Sequence, residues 1–115
     1  MDIDTVKPAL KRYLDQVAKR VRIKSVLVYG SLAQGKKDAN DIDLLVLSDD
    51  FVSIDVDERS KLLYRASVGF PYDLHVYGLA PDEFNEASPL TTLGKIRQNP
   101  TIKIKTVTKL SILKY

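Results

Sequence analysis

The chain has 115 residues, 44% of them hydrophobic, and it contains no cysteine. This length predicts one domain over residues 1–115, large enough to bury its own core. The lack of cysteine excludes disulfides, zinc–thiolate sites and cysteine nucleophiles. No apolar run approaches the roughly 20 residues that cross a bilayer, and the acidic N-terminus is unlike a signal peptide. We therefore expect no membrane association and a cytoplasmic location.

The net charge of +3 is unevenly distributed along the chain. Residues 1–37 carry nine Lys/Arg and three acids, residues 38–86 carry three and twelve, and residues 87–115 carry six and none. An acidic centre between basic ends allows two interpretations. The first is ordinary solvated surface. The second is an acidic metal site beside a basic surface that binds phosphates or an acidic partner.

The first half of the chain predicts a helix and two strands. Apolar residues recur at spacings of three and four over residues 3–21, which indicates an amphipathic helix capped by Asp4 or Thr5. The apolar run at residues 25–29 predicts a buried strand that ends at Gly30. Residues 30–40 are predicted as a loop with at most one helical turn after Ser31, and Asp41 begins a second strand over residues 41–47.

The second half of the chain also alternates between predicted helices and predicted strands. We predict a helix over residues 55–68, with its inward positions at Val56, Leu62, Leu63 and Ala66. We then predict a third strand over residues 72–79 and a helix from Pro81. These are followed by a helix over residues 90–98 and a half-exposed strand over residues 101–109. This order predicts an α/β (α+β) fold in which a mixed β-sheet is flanked by helices.

Three aspartates are the candidate catalytic and metal-binding residues. Asp41 and Asp43 are two apart on a predicted strand, so both side chains lie on one face of the sheet. Neighbouring anions repel each other, and Mg²⁺ relieves that repulsion with carboxylate, water and phosphate ligands. Asp73 begins the next strand. If the two strands are adjacent, three carboxylates converge, as a two-metal site for phosphoryl displacement requires.

The loop between the first two strands supplies candidate nucleotide-binding residues. Gly30 follows a strand and lets backbone approach a phosphate closely. Ser31 can donate its hydroxyl and amide to a phosphate oxygen. Gly35 frees the other end of the loop. Each feature alone is common, whereas their combination with Asp-x-Asp and a later strand aspartate is rare.

These residues resemble a known family. The pattern Gly30-Ser31, Gly35 and Asp41-Ile42-Asp43-Leu44 is similar to the signature of the DNA polymerase beta-like nucleotidyltransferases, and the short length resembles the minimal nucleotidyltransferase (MNT) branch. The resemblance covers about residues 5–87. It implies a palm-like fold, triphosphate binding by Gly30 and Ser31, and metal binding by Asp41, Asp43 and Asp73.

The resemblance also implies an activity and a partner. Such proteins move a nucleoside monophosphate from a nucleoside triphosphate, here expected to be ATP, to an acceptor hydroxyl with two Mg²⁺ ions. MNT proteins resemble antitoxins that modify a tyrosine of a HEPN-domain ribonuclease partner. The alternative function is a non-catalytic module that binds nucleotide or partner. An RNA partner is possible but not favoured, because the acidic centre interrupts any basic stripe.

Two other features have competing interpretations. Residues 30–36 also fit the P-loop pattern, but Lys37 replaces the metal-binding Ser or Thr, and a strand follows where a P-loop needs a helix. His75 lies two residues after Asp73 and could approach substrate. As the single histidine of the chain it is more often an inert, hydrogen-bonded strand residue.

Overall fold

The computed structural model describes residues 1–87, 94, 96 and 101–104. Helix α1 spans Ile3–Ala18, and its N-cap is Asp2 rather than the predicted Asp4 or Thr5. The Asp2 carboxylate accepts a hydrogen bond of 2.9 Å from the Thr5 amide, which satisfies one of the unpaired N–H groups of the first turn. The apolar stripe of α1 is buried as its periodicity predicts, at Val6, Leu10, Leu14 and Val17 among others.

A four-stranded mixed sheet forms the centre of the molecule, as predicted. Its strands are β1 (Ser25–Tyr29), β2 (Asp41–Leu47), β3 (Asp73–Leu79) and β4 (Ile102–Ile104). Their order is β3-β2-β1-β4, with β1 antiparallel to both β2 and β4 and with β2 parallel to β3. Parallel strands need a crossover connection, and the helix at Val56–Ala66 provides it between β2 and β3.

The two faces of the sheet have different environments. Ile42, Leu44 and Val46 of β2 are fully buried on one face, in a core shared with α1. The alternate residues of the same strand point to the other face, where a second apolar cluster contains Leu45, Leu47, Phe84 and Ile96. Among the residues that the structure describes, that second cluster covers only the far half of its face and leaves the start of β2 uncovered.

The connections are short helices. Helix α2 is a single turn at Gly30–Ala33, and a 3₁₀ turn at Asp49–Ser53 follows β2. Helix α3 (Val56–Ala66) is capped by the carboxylate of Asp55, and α4 (Pro81–Asn85) follows β3. The predicted inward position of Val56 is wrong, since this side chain is 63% exposed. The buried charged residue of α3 is Arg59 instead.

Two predicted elements lie mostly outside the described residues. Of the predicted helix at residues 90–98, only Gly94 and Ile96 are described, and both are helical. Of the predicted strand at residues 101–109, the described part is β4. Within the described ranges, no helix combines the length and the apolar character needed to span a bilayer.

Candidate active site

The register of the parallel strands places the three predicted acids on one face at one end of the sheet. Asp41 of β2 is paired with Asp73 of β3, and Asp43 is paired with His75. Adjacent strands lie about 4.8 Å apart, so Asp41 and Asp73 are neighbours across the ladder. The helices α1 and α3 cover the opposite face, and the carboxylates therefore face the uncovered side.

Asp43 is the least exposed of the three acids, and its environment is anionic. Burial raises the pKa of its carboxyl, the nearby Asp41 raises this pKa further, and His75 lowers it. Tyr29, paired with Asp43 across β1 and β2, has its pKa raised by burial and by the same carboxylate. The fold thus holds a carboxylate in a position that disfavours its negative charge, which is typical of functional sites.

Asp41 and His75 form a second contact at this end of the sheet. The His75 Nε2 lies 3.9 Å from the Asp41 Oδ2, an ion pair when the imidazole is protonated. Sequence reasoning favoured an inert histidine, whereas the structure places this ring beside the carboxylates. The register explains the contact, because His75 shares a strand face with Asp73.

The donor set suits Mg²⁺, although the described side chains do not form a closed ligand cage. Asp73 is exposed, and within residues 1–87, 94, 96 and 101–104 no three His, Asp or Glu side chains lie close enough together to hold a metal ion. Mg²⁺ is usually held by one or two carboxylates and completes its shell with water and substrate phosphate. The carboxylates at the start of β2 fit that requirement.

Gly30 brings the glycine–serine turn into direct contact with Asp43. A Cβ atom on Gly30 would lie 2.3 Å from the Asp43 Oδ2, so the carboxylate occupies the space that glycine leaves. Gly30 also has a φ of 73°, in the left-handed region. Ser31 follows on α2 with an exposed side chain, and Gly35 closes the turn with a φ of 74°. Gly30 and Ser31 therefore border the acidic face, whereas Gly35 lies at the far end of the turn.

A pair of glycine substitutions separates backbone strain from the contact with Asp43. Gly30→Ala and Gly35→Ala both put a side chain on a left-handed residue, which costs about 1–2 kcal/mol. At Gly35 nothing lies within 4 Å of the new Cβ, whereas at Gly30 the Asp43 carboxylate must move. We expect Gly30→Ala to lose more stability in chemical denaturation and to weaken Mg²⁺-dependent ATP binding, while Gly35→Ala loses stability alone. Equal effects of both substitutions would contradict this assignment of Gly30.

A family comparison and several solved structures agree with this fold. The model of the family described as "nucleotidyltransferase domain" matches residues 10–109. No protein of curated function matches the chain. The solved structures that follow share only 18% of their residues with it, so their likeness concerns the fold.

Three solved structures share the architecture. A protein from Sulfolobus solfataricus assigned as a nucleotidyltransferase superimposes with a TM-score of 0.64 over 89% of this chain and 81% of its own, at 18% identity. A toxin–antitoxin complex with AMP-PNP gives 0.56 over 90% and 78%, also at 18% identity. The toxin–antitoxin MntA-HpeT gives 0.55 over 87% and 74%, again at 18%. With its acids and its glycine–serine turn at one end of a mixed sheet, the chain belongs to the nucleotidyltransferase domain family.

Proposed function

We propose that the protein transfers a nucleoside monophosphate from ATP to an acceptor hydroxyl and that the transfer depends on Mg²⁺. One observation carries the proposal, namely that Asp41 is paired with Asp73 on the neighbouring strand. Asp43, two residues after Asp41, lies against Gly30. Three carboxylates and a glycine–serine turn thus border one uncovered face. This is the donor set that in-line transfer of a phosphoryl group with two metal ions uses.

Each residue has a role in that reaction. Gly30 lets the triphosphate approach the backbone, and Ser31 donates hydrogen bonds to its oxygens. Asp41 and Asp43 would provide oxygen ligands from one strand, and Asp73 would provide a third once its exposed side chain moves toward them. Bound Mg²⁺ would neutralise the phosphate charge and lower the pKa of the attacking hydroxyl.

The transfer exchanges a phosphoanhydride bond of ATP for a phosphoester bond to the acceptor. The acceptor oxygen attacks the α-phosphorus, and the bond from that phosphorus to the oxygen bridging to the β-phosphate breaks. Pyrophosphate leaves, and the hydroxyl proton passes to solvent.

The acceptor we infer is a hydroxyl side chain of a HEPN-domain partner protein. The sequence resembles the MNT branch, and two of the structures with the same fold are toxin–antitoxin complexes, one of them with AMP-PNP. In this role the protein would act as an antitoxin.

Label transfer tests the activity and identifies the acceptor class. The purified protein is incubated with Mg²⁺ and ATP labelled either at the α- or at the γ-phosphate, with and without the HEPN protein of the same genome. Nucleotidyl transfer puts α-label and no γ-label on the acceptor. γ-Label on the acceptor would indicate a kinase instead. Binding of ATP with no transfer to any acceptor would favour the non-catalytic nucleotide-binding module.

A further inference from the structure

A basic cleft lies between α1 and α3, on the other side of the sheet from the carboxylates. It has a volume of about 320 Å³, comparable with the smaller ligand pockets of proteins. Arg12 and Gln16 of α1 line one side, and Arg65 of α3 lines the other. The turn that contains Phe70 closes one end of the cleft.

Neither guanidinium of the cleft has an acidic partner. Within residues 1–87, 94, 96 and 101–104, every ion pair involves other cations, and neither the Arg12 nor the Arg65 guanidinium donates a hydrogen bond to a protein acceptor. By contrast, Lys61 of α3 is paired with Glu58 at 3.3 Å. Two unpaired arginines across a cleft form a positive site for an oxyanion, which a planar guanidinium binds through two parallel hydrogen bonds.

The lining of the cleft is more polar than apolar, and its apolar part includes two aromatic side chains. The rings of Tyr13 and Phe70 pack edge to face with their centroids 5.8 Å apart. The Tyr13 hydroxyl donates a hydrogen bond of 3.0 Å to the Leu63 carbonyl, so it is satisfied within the protein. Ala9 and Ala66 add small apolar side chains to the lining. A ligand that places a flat or apolar part here loses no hydrogen bond.

We propose that this cleft binds a small organic phosphate, with the phosphate between Arg12 and Arg65 and the organic part against Phe70. The site is separate from the carboxylate site, because the sheet lies between them. The proposal therefore stands whether or not the protein transfers nucleotides.

NMR titration with three probes tests the proposal. Phenyl phosphate, inorganic phosphate and phenol are each added to the ¹⁵N-labelled protein in the presence of EDTA, which removes metal from the carboxylate face. We expect saturable shifts of the Arg12, Gln16, Arg65 and Phe70 amides with phenyl phosphate, at least tenfold weaker binding of inorganic phosphate, and no saturable binding of phenol.

Two double variants of equal charge separate a site from general attraction. Arg12→Gln/Arg65→Gln removes the two guanidiniums, and Lys11→Gln/Lys61→Gln removes two lysines from the same helices. Phenyl phosphate should bind at least tenfold more weakly to the arginine variant and unchanged to the lysine variant. Equal loss in both variants, no saturable shift in the wild type, or phenol binding as tightly as phenyl phosphate would each overturn the proposal.

Discussion

An Asp43→Asn protein is expected to lose nucleotidyl transfer by a factor of at least about 10² while keeping its fold. Loss of a metal-binding carboxylate removes several kcal/mol of transition-state charge stabilisation, and each 1.4 kcal/mol is a factor of about ten in rate. The fold should survive because the carboxylate is held where its charge is disfavoured. The measurement is the initial rate of α-label transfer under saturating Mg²⁺, together with thermal unfolding of the metal-free protein.

The difference in stability between the wild type and this variant depends on pH. Burial and Asp41 raise the pKa of Asp43 in the folded protein, so the Asp43 carboxyl binds its proton more tightly there than in the unfolded chain. Its contribution to stability is therefore complete below the unfolded pKa and is lost as the pH rises through the folded pKa. Wild type and Asp43→Asn should unfold at similar temperatures near pH 4, and the variant should unfold at the higher temperature at pH 7 without metal.

Asp38→Asn is the matched control for this experiment. Asp38 lies on the loop before β2, its side chain is exposed, and the change in net charge is the same. This variant should keep the transfer rate and the pH dependence of the wild type. An Asp43→Asn protein that keeps more than a tenth of the wild-type rate would contradict the role of Asp43.

Replacement of Arg59 by methionine is expected to cost about 3–5 kcal/mol of stability, because three carbonyls lose their donor and each unsatisfied buried group costs about 1–3 kcal/mol. Arg59 is only 5% exposed. Its guanidinium donates to the carbonyls of Phe51, Ile54 and Gly78, at 2.8 Å for Ile54 and 3.2 Å for Gly78. It also pairs with Glu83 at 2.8 Å, and this contact holds the pKa of Glu83 below its usual value. Methionine would leave the carbonyls without their donor.

Two further substitutions make the Arg59 result specific. Arg59→Lys keeps the charge but not the planar fork, so it should lose most of the same stability. Lys61→Met removes an exposed cation from the same helix and should change stability by less than about 0.5 kcal/mol. Urea denaturation measures all three. A loss below about 1 kcal/mol for Arg59→Met would show that solvent replaces the missing donors.

Local patterns in the sequence were sufficient to predict the strands and the carboxylate face. Apolar, β-branched runs marked β1, β2 and β3, and the period of two put Asp41 and Asp43 on the same side of β2. The adjacency of Asp73 was a conditional prediction, since nothing local specifies that β3 pairs with β2 in parallel. The structure supplies that pairing, and with it the position of His75.

The sequence analysis did not identify Arg59 as buried, and it was wrong about Val56 and about the N-cap of α1. An arginine on a helix is usually exposed, and the carbonyls that bury Arg59 come from the 3₁₀ turn and from β3. Val56 fits the apolar periodicity of α3, but it is the first residue of the helix and lies beyond the packed stripe. The N-cap at Asp2 was missed because Asp2, Asp4 and Thr5 are all good capping residues.

The parallel pairing of β2 with β3 also determines which molecules can be active. Asp41 opposite Asp73 is an unfavourable pair, and the apolar pairs Ile42–Leu74 and Leu44–Val76 beside it hold the alignment. A slip by one residue would turn Asp73 and His75 toward the core and Leu74 and Val76 toward solvent. Chains with the shifted register would therefore be unstable, so the stable fold is the one with Asp41, Asp43 and Asp73 on the same face of the sheet.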